Sequence, residues 1–222
     1  MSFEFSGTFA RWEFFAWGAL MTLGLSLAAM ALGLLVGVVG AALRRSPILP
    51  LRLLVRAYVE LIRNTPFLVQ IYIVYFGLPA LGLRLSPVVA SIASMTIYAG
   101  AYLTETLRAG IENVPKAQTE AALALGLSKF ACFRKVVLPQ GLAAVYPALV
   151  SQFILLLLAS SIASSVSTQE LTGAANDIQG QTFRSFEAFL VVAAIYLAMT
   201  GLLRMALNAL DRRLFSFRFV RT

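Results

Sequence analysis

The sequence predicts an all-α integral membrane protein, a single domain spanning residues 1–222 with five transmembrane helices. Three observations carry that prediction. Hydrophobic residues make up 59% of the chain and charged residues only 13%, with a mean hydropathy of +0.83, whereas soluble domains carry roughly 25% charge. Apolar runs that reach the ~17–25 residues a bilayer demands recur between charged segments. The polar interval 112–140 between two of these runs reads as helices rather than as an ordinary loop rich in Gly, Pro, Ser and Asn.

Composition also excludes function classes. Histidine is absent and Cys132 is the only cysteine, so no intrachain disulfide is available. Zinc or copper sites and the common His-dependent triads are excluded as well. The formal charge of +8 is read as the Lys and Arg that collect in cytoplasmic loops of membrane proteins, not as a nucleic-acid footprint. No cleavable signal is expected, because two Glu and one Arg fall in the first 13 residues and the run that follows is too long for an h-region.

Residues 1–13 form an aromatic lead-in suited to an interface, with Trp12 at the boundary. The first span, about 14–43, is free of charge, and its Gly33, Gly37 and Gly40 form a smooth stripe. That stripe suits close helix packing, although glycine is simply frequent in membrane helices. Pro47 and Pro50 then precede an amphipathic segment in which Arg52, Arg56, Glu60 and Arg63 share one helical face, as for a helix lying at the membrane surface. Arg63-Asn64-Thr65-Pro66 breaks it before a second span, about 65–83, whose polar elements are Gln70, Tyr72 and Tyr75.

The third span, about 86–108, is rich in small residues and belongs inside a bundle. Its Glu105 lies near the far interface, placed to pair with Arg108 at i+3. The fourth span, about 141–162, contains Pro147 as a kink and ends in a run of hydroxyls from Ser160 to Thr168. Such hydroxyls either line a wet cavity or bond back onto their own helix. Residues 171–183 read as polar turns, and the fifth span, about 186–208, precedes a tail holding Arg212, Arg213, Arg218 and Arg221.

Within the polar interval, Pro115 starts a helix over Lys116–Leu125, Gly126 ends it, and Ser128 caps a second short helix expected to stop before Pro139. With this interval in the cytoplasm, thirteen Lys and Arg fall on that side against three outside (Arg11, Arg84 and Arg184), and the positive-inside rule places the N-terminus outside and the C-terminus inside.

These residues carry a resemblance. Glu120-Ala121-Ala122, Gly126, Val136 and Leu138-Pro139 resemble the EAA signature of ABC-importer permeases, with Val136 at the usual Ile position. Arg63-Asn64-Thr65-Pro66 with Gln70, Tyr75-Phe76-Gly77-Leu78-Pro79, and Tyr102 with Glu105, Arg108 and Gly110-Ile111 are similar to the polar amino acid permease subfamily, over nearly the whole chain. The resemblance implies the type I importer permease fold in the bacterial inner membrane. It also implies a second permease subunit, identical or a sister chain, and an extracellular or periplasmic solute-binding protein. A cytoplasmic ABC ATPase dimer would dock on Glu120, Ala121, Ala122, Gly126, Leu138 and Pro139. ATP and Mg belong to that partner, since no G-x4-G-K-[S/T] occurs here.

Ala121 and Ala122 are small enough for close approach, and Glu120 is placed near the helix N-terminus to suit the dipole. Lys129, Arg134 and Lys135 answer either acidic groups on the partner or lipid headgroups. Gln70, Tyr75, Tyr98, Ser160, Ser161 and Ser164 are the candidate substrate pathway, and Glu105–Arg108 a candidate structural ion pair. Where subfamily members carry a Lys-Asp-Ser/Thr-Ser segment, this chain has Leu158-Ala159-Ser160-Ser161. The cargo is then neutral or differently charged, or the chain is the non-binding partner of a heterodimer. A stand-alone channel or secondary transporter is disfavoured, since five spans do not divide into two repeats and no span holds a central charge. A serine hydrolase lacks a base, because all three lysines lie in the cytoplasmic interval, and a scaffold without transport remains the last alternative.

Overall fold

The computed structural model describes residues 10–215, and most of the described helices follow from the apolar runs or their breaks. The lead-in before residue 10 and the tail residues Arg218 and Arg221 lie outside the described residues. Helix α1 (Trp12–Arg44) has 33 residues and at ~1.5 Å per residue is far longer than a ~30 Å hydrocarbon core. Next come α2 (Leu49–Arg63) and α3 (Phe67–Tyr72), the latter passing through a π-helical turn (Ile73–Gly77) into a 3₁₀ turn (Leu78–Leu81). Helix α4 (Pro87–Glu112) is followed by the short helices α5 (Lys116–Ala124) and α6 (Lys129–Cys132). A second π-helical turn (Phe133–Val137) joins α6 to α7 (Leu138–Ala159), which ends in a 3₁₀ stretch (Ser160–Val166). Helices α8 (Leu171–Thr182) and α9 (Ser185–Leu214) complete the described chain.

Among the described residues four continuous helices, Trp12–Arg44, Pro87–Glu112, Lys129–Val166 and Ser185–Leu214, are long and apolar enough to cross a membrane. The fifth candidate is composite. Phe67–Leu81 alone is ~22 Å long, short of a bilayer core, and is joined to α2 through a bend of 109°. On α2 the expected charged face is present, with Arg56 Nε donating to Glu60 Oε1 at 2.7 Å. The opposite face is held to the bundle by the Tyr58 hydroxyl, which donates to the Ile97 carbonyl at 2.6 Å.

Helices α1 and α4 form the spine of the bundle, and the glycine stripe is the reason. A Cβ placed on Gly33 would sit 2.7 Å from Ala99 Cβ, and one on Gly37 2.6 Å from Leu103 Cβ, while Gly40 faces Thr104. The helices therefore approach at backbone distance, which recovers dispersion contacts that a side chain would prevent in a medium where lipid offers no hydrophobic drive. Among the small residues of α4, Ala90, Ser91, Ser94, Ala99, Gly100 and Ala101 are buried and Ala93 is half-buried. Around this pair Leu25, Met95, Leu156, Leu157 and Leu171 are closed off and form one core. Trp12 and Trp17 stand exposed at the N-terminal end of α1.

Two expectations from the sequence are overturned. The helix capped by Ser128, whose Oγ accepts from Ala131 N at 3.2 Å, does not stop before Pro139 but runs on into α7. Proline lacks an N–H and its ring collides with the carbonyl four residues back. The π-helical turn absorbs both problems by widening the coil around Lys135, the residue at that position. Pro79 follows the Ile73–Gly77 π turn at the same spacing. Residues 171–183, read as polar turns, are mostly the helix α8, capped by Glu170 Oε1 accepting from Gly173 N at 2.8 Å. Leu171, Ala174, Ala175 and Ile178 are its buried face, an i, i+3, i+4, i+7 pattern that the polar composition had masked.

Candidate functional site

The loop between α4 and α7 is a compact helix–turn–helix. Helix α5 ends in paired bonds from Gly126 N to the Leu123 carbonyl at 2.9 Å and from Leu127 N to the Ala122 carbonyl at 3.2 Å. These define a Schellman motif, which requires a left-handed residue between them. Gly126 fills that position with φ +85°, and a Cβ built on it meets nothing within 4 Å. The turn is thus fixed by backbone conformation and is sterically open on its outer side.

The six residues singled out by the sequence divide into two groups. Glu120, Ala121 and Gly126 are exposed, whereas Ala122 is buried and Leu138 and Pro139 are half-buried at the start of α7. Ala122 is buried within the chain itself, so its small side chain serves the closure of α5 against its own loop. Glu120 is the fifth residue of α5, beyond the first turn, so the dipole argument made for it carries little weight. Two residues escaped the sequence reading: Leu125 and Phe130 flank the glycine turn and are 81% and 71% exposed. They leave an exposed apolar patch on either side of the open turn, and their position beside Gly126 was the available signal.

The candidate pathway residues lie on α3, the π turn that follows it, α4 and the 3₁₀ stretch Ser160–Val166, elements that pack against one another. Gln70 is buried and Nε2 donates to the carbonyls of Ile62 (2.8 Å) and Thr65 (3.1 Å) and to Thr65 Oγ1 (3.0 Å). It therefore satisfies carbonyls left orphaned where α2 breaks, which positions the 109° bend. Tyr98 stacks on Phe67 at 5.1 Å and Tyr102 at 4.7 Å, and Tyr75 meets Phe76 edge-on at 4.9 Å. Ser160, Ser161 and Ser164 each donate to the carbonyl three residues back, at 2.7–2.8 Å. The hydroxyls thus bond back onto their own helix, one of the two alternatives open from sequence, and keep only acceptor lone pairs for anything else.

Arg108 bridges Glu105 and Glu112 along α4, its Nε donating to Glu105 Oε2 at 3.1 Å. Arg63 lies over the Tyr102 ring at 5.3 Å. A further polar node was missed in the sequence. Glu170 is fully buried and accepts from Thr22 Oγ1 (3.2 Å), Tyr196 Oη (2.8 Å) and the Gly173 N–H, joining α1, α8 and α9 through one carboxylate. Ser91 and Thr168 share a hydrogen bond of 2.8 Å beside it. Among the described residues no cluster of His, Cys, Asp and Glu is arranged to hold a metal ion.

Four continuous helices long and apolar enough to cross a membrane and one broken pair, with a helical polar loop between α4 and α7, make the described residues a multi-span membrane bundle. Residues 29–216 match the binding-protein-dependent transport system inner membrane component family, and the chain belongs to that family. It is 38% identical over 193 residues to a probable glutamine ABC transporter permease, GlnM, of Bacillus subtilis, covering 87% of this chain and 89% of that one. It is 33% identical over 216 residues to the glutamine transport system permease GlnP of Escherichia coli, covering 96% and 99%. A solved amino acid ABC transporter chain, crystallised with histidines, superposes with a TM-score of 0.89 at 36% identity, covering 96% of this chain and all of that one. A chain of the methionine transporter MetNI superposes with a TM-score of 0.67 at 23% identity, a likeness of fold. The protein is a permease subunit of an ABC transporter with the type I importer fold.

Proposed function

We propose that this permease imports a polar amino acid or amino-acid derivative across a bacterial inner membrane by alternating access, with the α5–α6 loop as the docking element for a cytoplasmic ABC ATPase. Relatives named as glutamine permeases along nearly the whole chain support the cargo class. The observation that carries the docking role is the open Gly126 turn flanked by exposed Leu125 and Phe130. ATP and Mg reside on the ATPase, a solute-binding protein delivers cargo on the opposite side, and a second permease subunit completes the pathway. The N-terminus faces outward and the C-terminus inward, following the thirteen-to-three charge asymmetry.

Residues 1–222 act as one transmembrane domain, with crossings near 14–43, 65–83, 86–108, 141–162 and 186–208 and the docking loop at 112–140. The pathway is assigned to the region of Gln70, Tyr75, Tyr98, Ser160, Ser161 and Ser164, with Gln70 positioning the broken span. The uncharged Leu158-Ala159 favours a neutral cargo such as glutamine over a cationic one. The serine hydroxyls, already committed to backbone carbonyls, favour the second reading that this is the non-binding member of a heterodimer. A photo-crosslinker at position 125, in membranes that also hold the ATPase, is expected to capture the ATPase, whereas one at the outer-end position Trp17 captures none. Equal capture from both positions would overturn the docking assignment.

A further inference from the structure

Three cavities follow one another along the side of the bundle. The first, about 430 Å³, lies at the loop end between α1, α4, α5 and α6 and presents Arg45, Lys116 and Lys129. Its one carboxylate, Glu112, is already engaged by Arg108. The second, about 440 Å³, shares Arg45, Ile111 and Phe133 with the first and is otherwise walled by apolar side chains. The third, about 320 Å³, shares Val38, Leu107 and Leu142 with the second. Its one hydroxyl, on Tyr146, is committed to the Leu207 carbonyl at 2.7 Å.

Along α1 the sequence of cavities advances from Arg45 to Leu34, ~17 Å by helical rise. That distance is about half of a ~30 Å hydrocarbon core, the reach of one leaflet. Among the described residues, a cationic head pocket opening onto a trough of apolar side chains of leaflet depth matches the shape and charge order of a phospholipid.

We propose that this groove is a binding site for an anionic phospholipid of the cytoplasmic leaflet, with the phosphate held by Arg45, Lys116 and Lys129 and one acyl chain lying along α1 past Val38 and Leu142. The Arg45 guanidinium, 6.0 Å from the centre of the Phe133 ring, is preset at the junction between head pocket and trough. The site tethers the α5–α6 loop to the membrane through Lys116 and Lys129, and it stands whether or not that loop docks an ATPase.

Native mass spectrometry of the full chain, released from detergent in the presence of phosphatidylglycerol or phosphatidylethanolamine, tests this. Wild type is expected to retain phosphatidylglycerol preferentially. The variant R45Q/K116Q/K129Q should lose that preference by up to about a hundredfold, since each of the three cations near an anionic headgroup contributes about fivefold. Val38→Trp, which fills the trough, should lower retention of both lipids while leaving the preference unchanged. Equal retention of the two lipids by wild type would overturn the proposal. So would displacement of phosphatidylglycerol by inorganic phosphate alone, which would mark a phosphate site. In a Cys132→Ser background, efficient disulfide formation between copies carrying Leu34→Cys or Val38→Cys would show the trough filled by a second chain and would also overturn it.

Discussion

Replacing Gly126 separates two reasons for having glycine at the tip of the loop. Its φ of +85° places the residue in the left-handed region, which costs an ordinary L-residue roughly 1–2 kcal/mol and is tolerated best by Asn. A Cβ at this position would have no atom within 4 Å, so within this chain the cost is conformational alone. At about 1.4 kcal/mol per tenfold, Gly126→Ala should weaken ATPase binding by at most ~5- to 30-fold through loss of the competent turn. Gly126→Val should exceed that range, because branching at Cβ makes positive φ worse. Gly126→Asn keeps the turn but adds bulk.

The assay is equilibrium binding of the partner ATPase to each purified variant, with thermal unfolding as a control that the bundle is intact. If the turn alone matters, Asn restores near-wild-type binding. If the ATPase packs against the glycine, Asn and Ala both fail beyond the conformational limit. Wild-type affinity in Gly126→Val would refute the reasoning, because docking would then be indifferent to the turn.

The α1–α4 contact predicts a contrast on one helix. Gly37→Leu would force a Cβ to within 2.6 Å of Leu103 Cβ and is expected to lower stability by about 1–3 kcal/mol, whereas Gly24→Leu, at a site with nothing within 4 Å, is expected to be tolerated; thermal unfolding in detergent compares them. Glu170→Ala strips the acceptor from Thr22, Tyr196 and the Gly173 N–H and should cost about 3 kcal/mol in the same assay. Glu170→Gln, which keeps one acceptor oxygen, should cost less, and an unchanged unfolding midpoint in the Ala variant would remove the node from the account of stability.

Much of the fold was legible because a bilayer punishes charge over a fixed length. The cores of α1, α4, α7 and α9 coincide with uncharged runs, and the stripe Gly33-Gly37-Gly40 offered a face for close packing without naming α4 as the partner. Gly126 and Ser128 announced the loop because capping is local chemistry. What stayed hidden depended on neighbours far away in sequence. Helix α8 is polar in composition yet buried along Leu171 and Ala175 against α1 and the 3₁₀ stretch, so its stripe is short and diluted.

Pro139 read as a helix stop because the rule for proline assumes a regular α-helix, and a π turn upstream removes the conflict. Glu170 follows the hydroxyl run that ends at Thr168, and nothing local reveals that Thr22 and Tyr196 converge on it. The pathway residues were named for their polarity. Gln70 and the serines turn out to spend that polarity on backbone carbonyls, a use that only three-dimensional placement discloses.

The most direct measurement is uptake of radiolabelled glutamine into proteoliposomes that contain this chain, its second permease subunit and the ATPase, with the binding protein added outside. ATP inside the vesicles is expected to drive accumulation that Gly126→Val abolishes without loss of the inserted protein. Accumulation that proceeds without ATP, or that is unaffected by Gly126→Val, would contradict a permease driven through the α5–α6 loop.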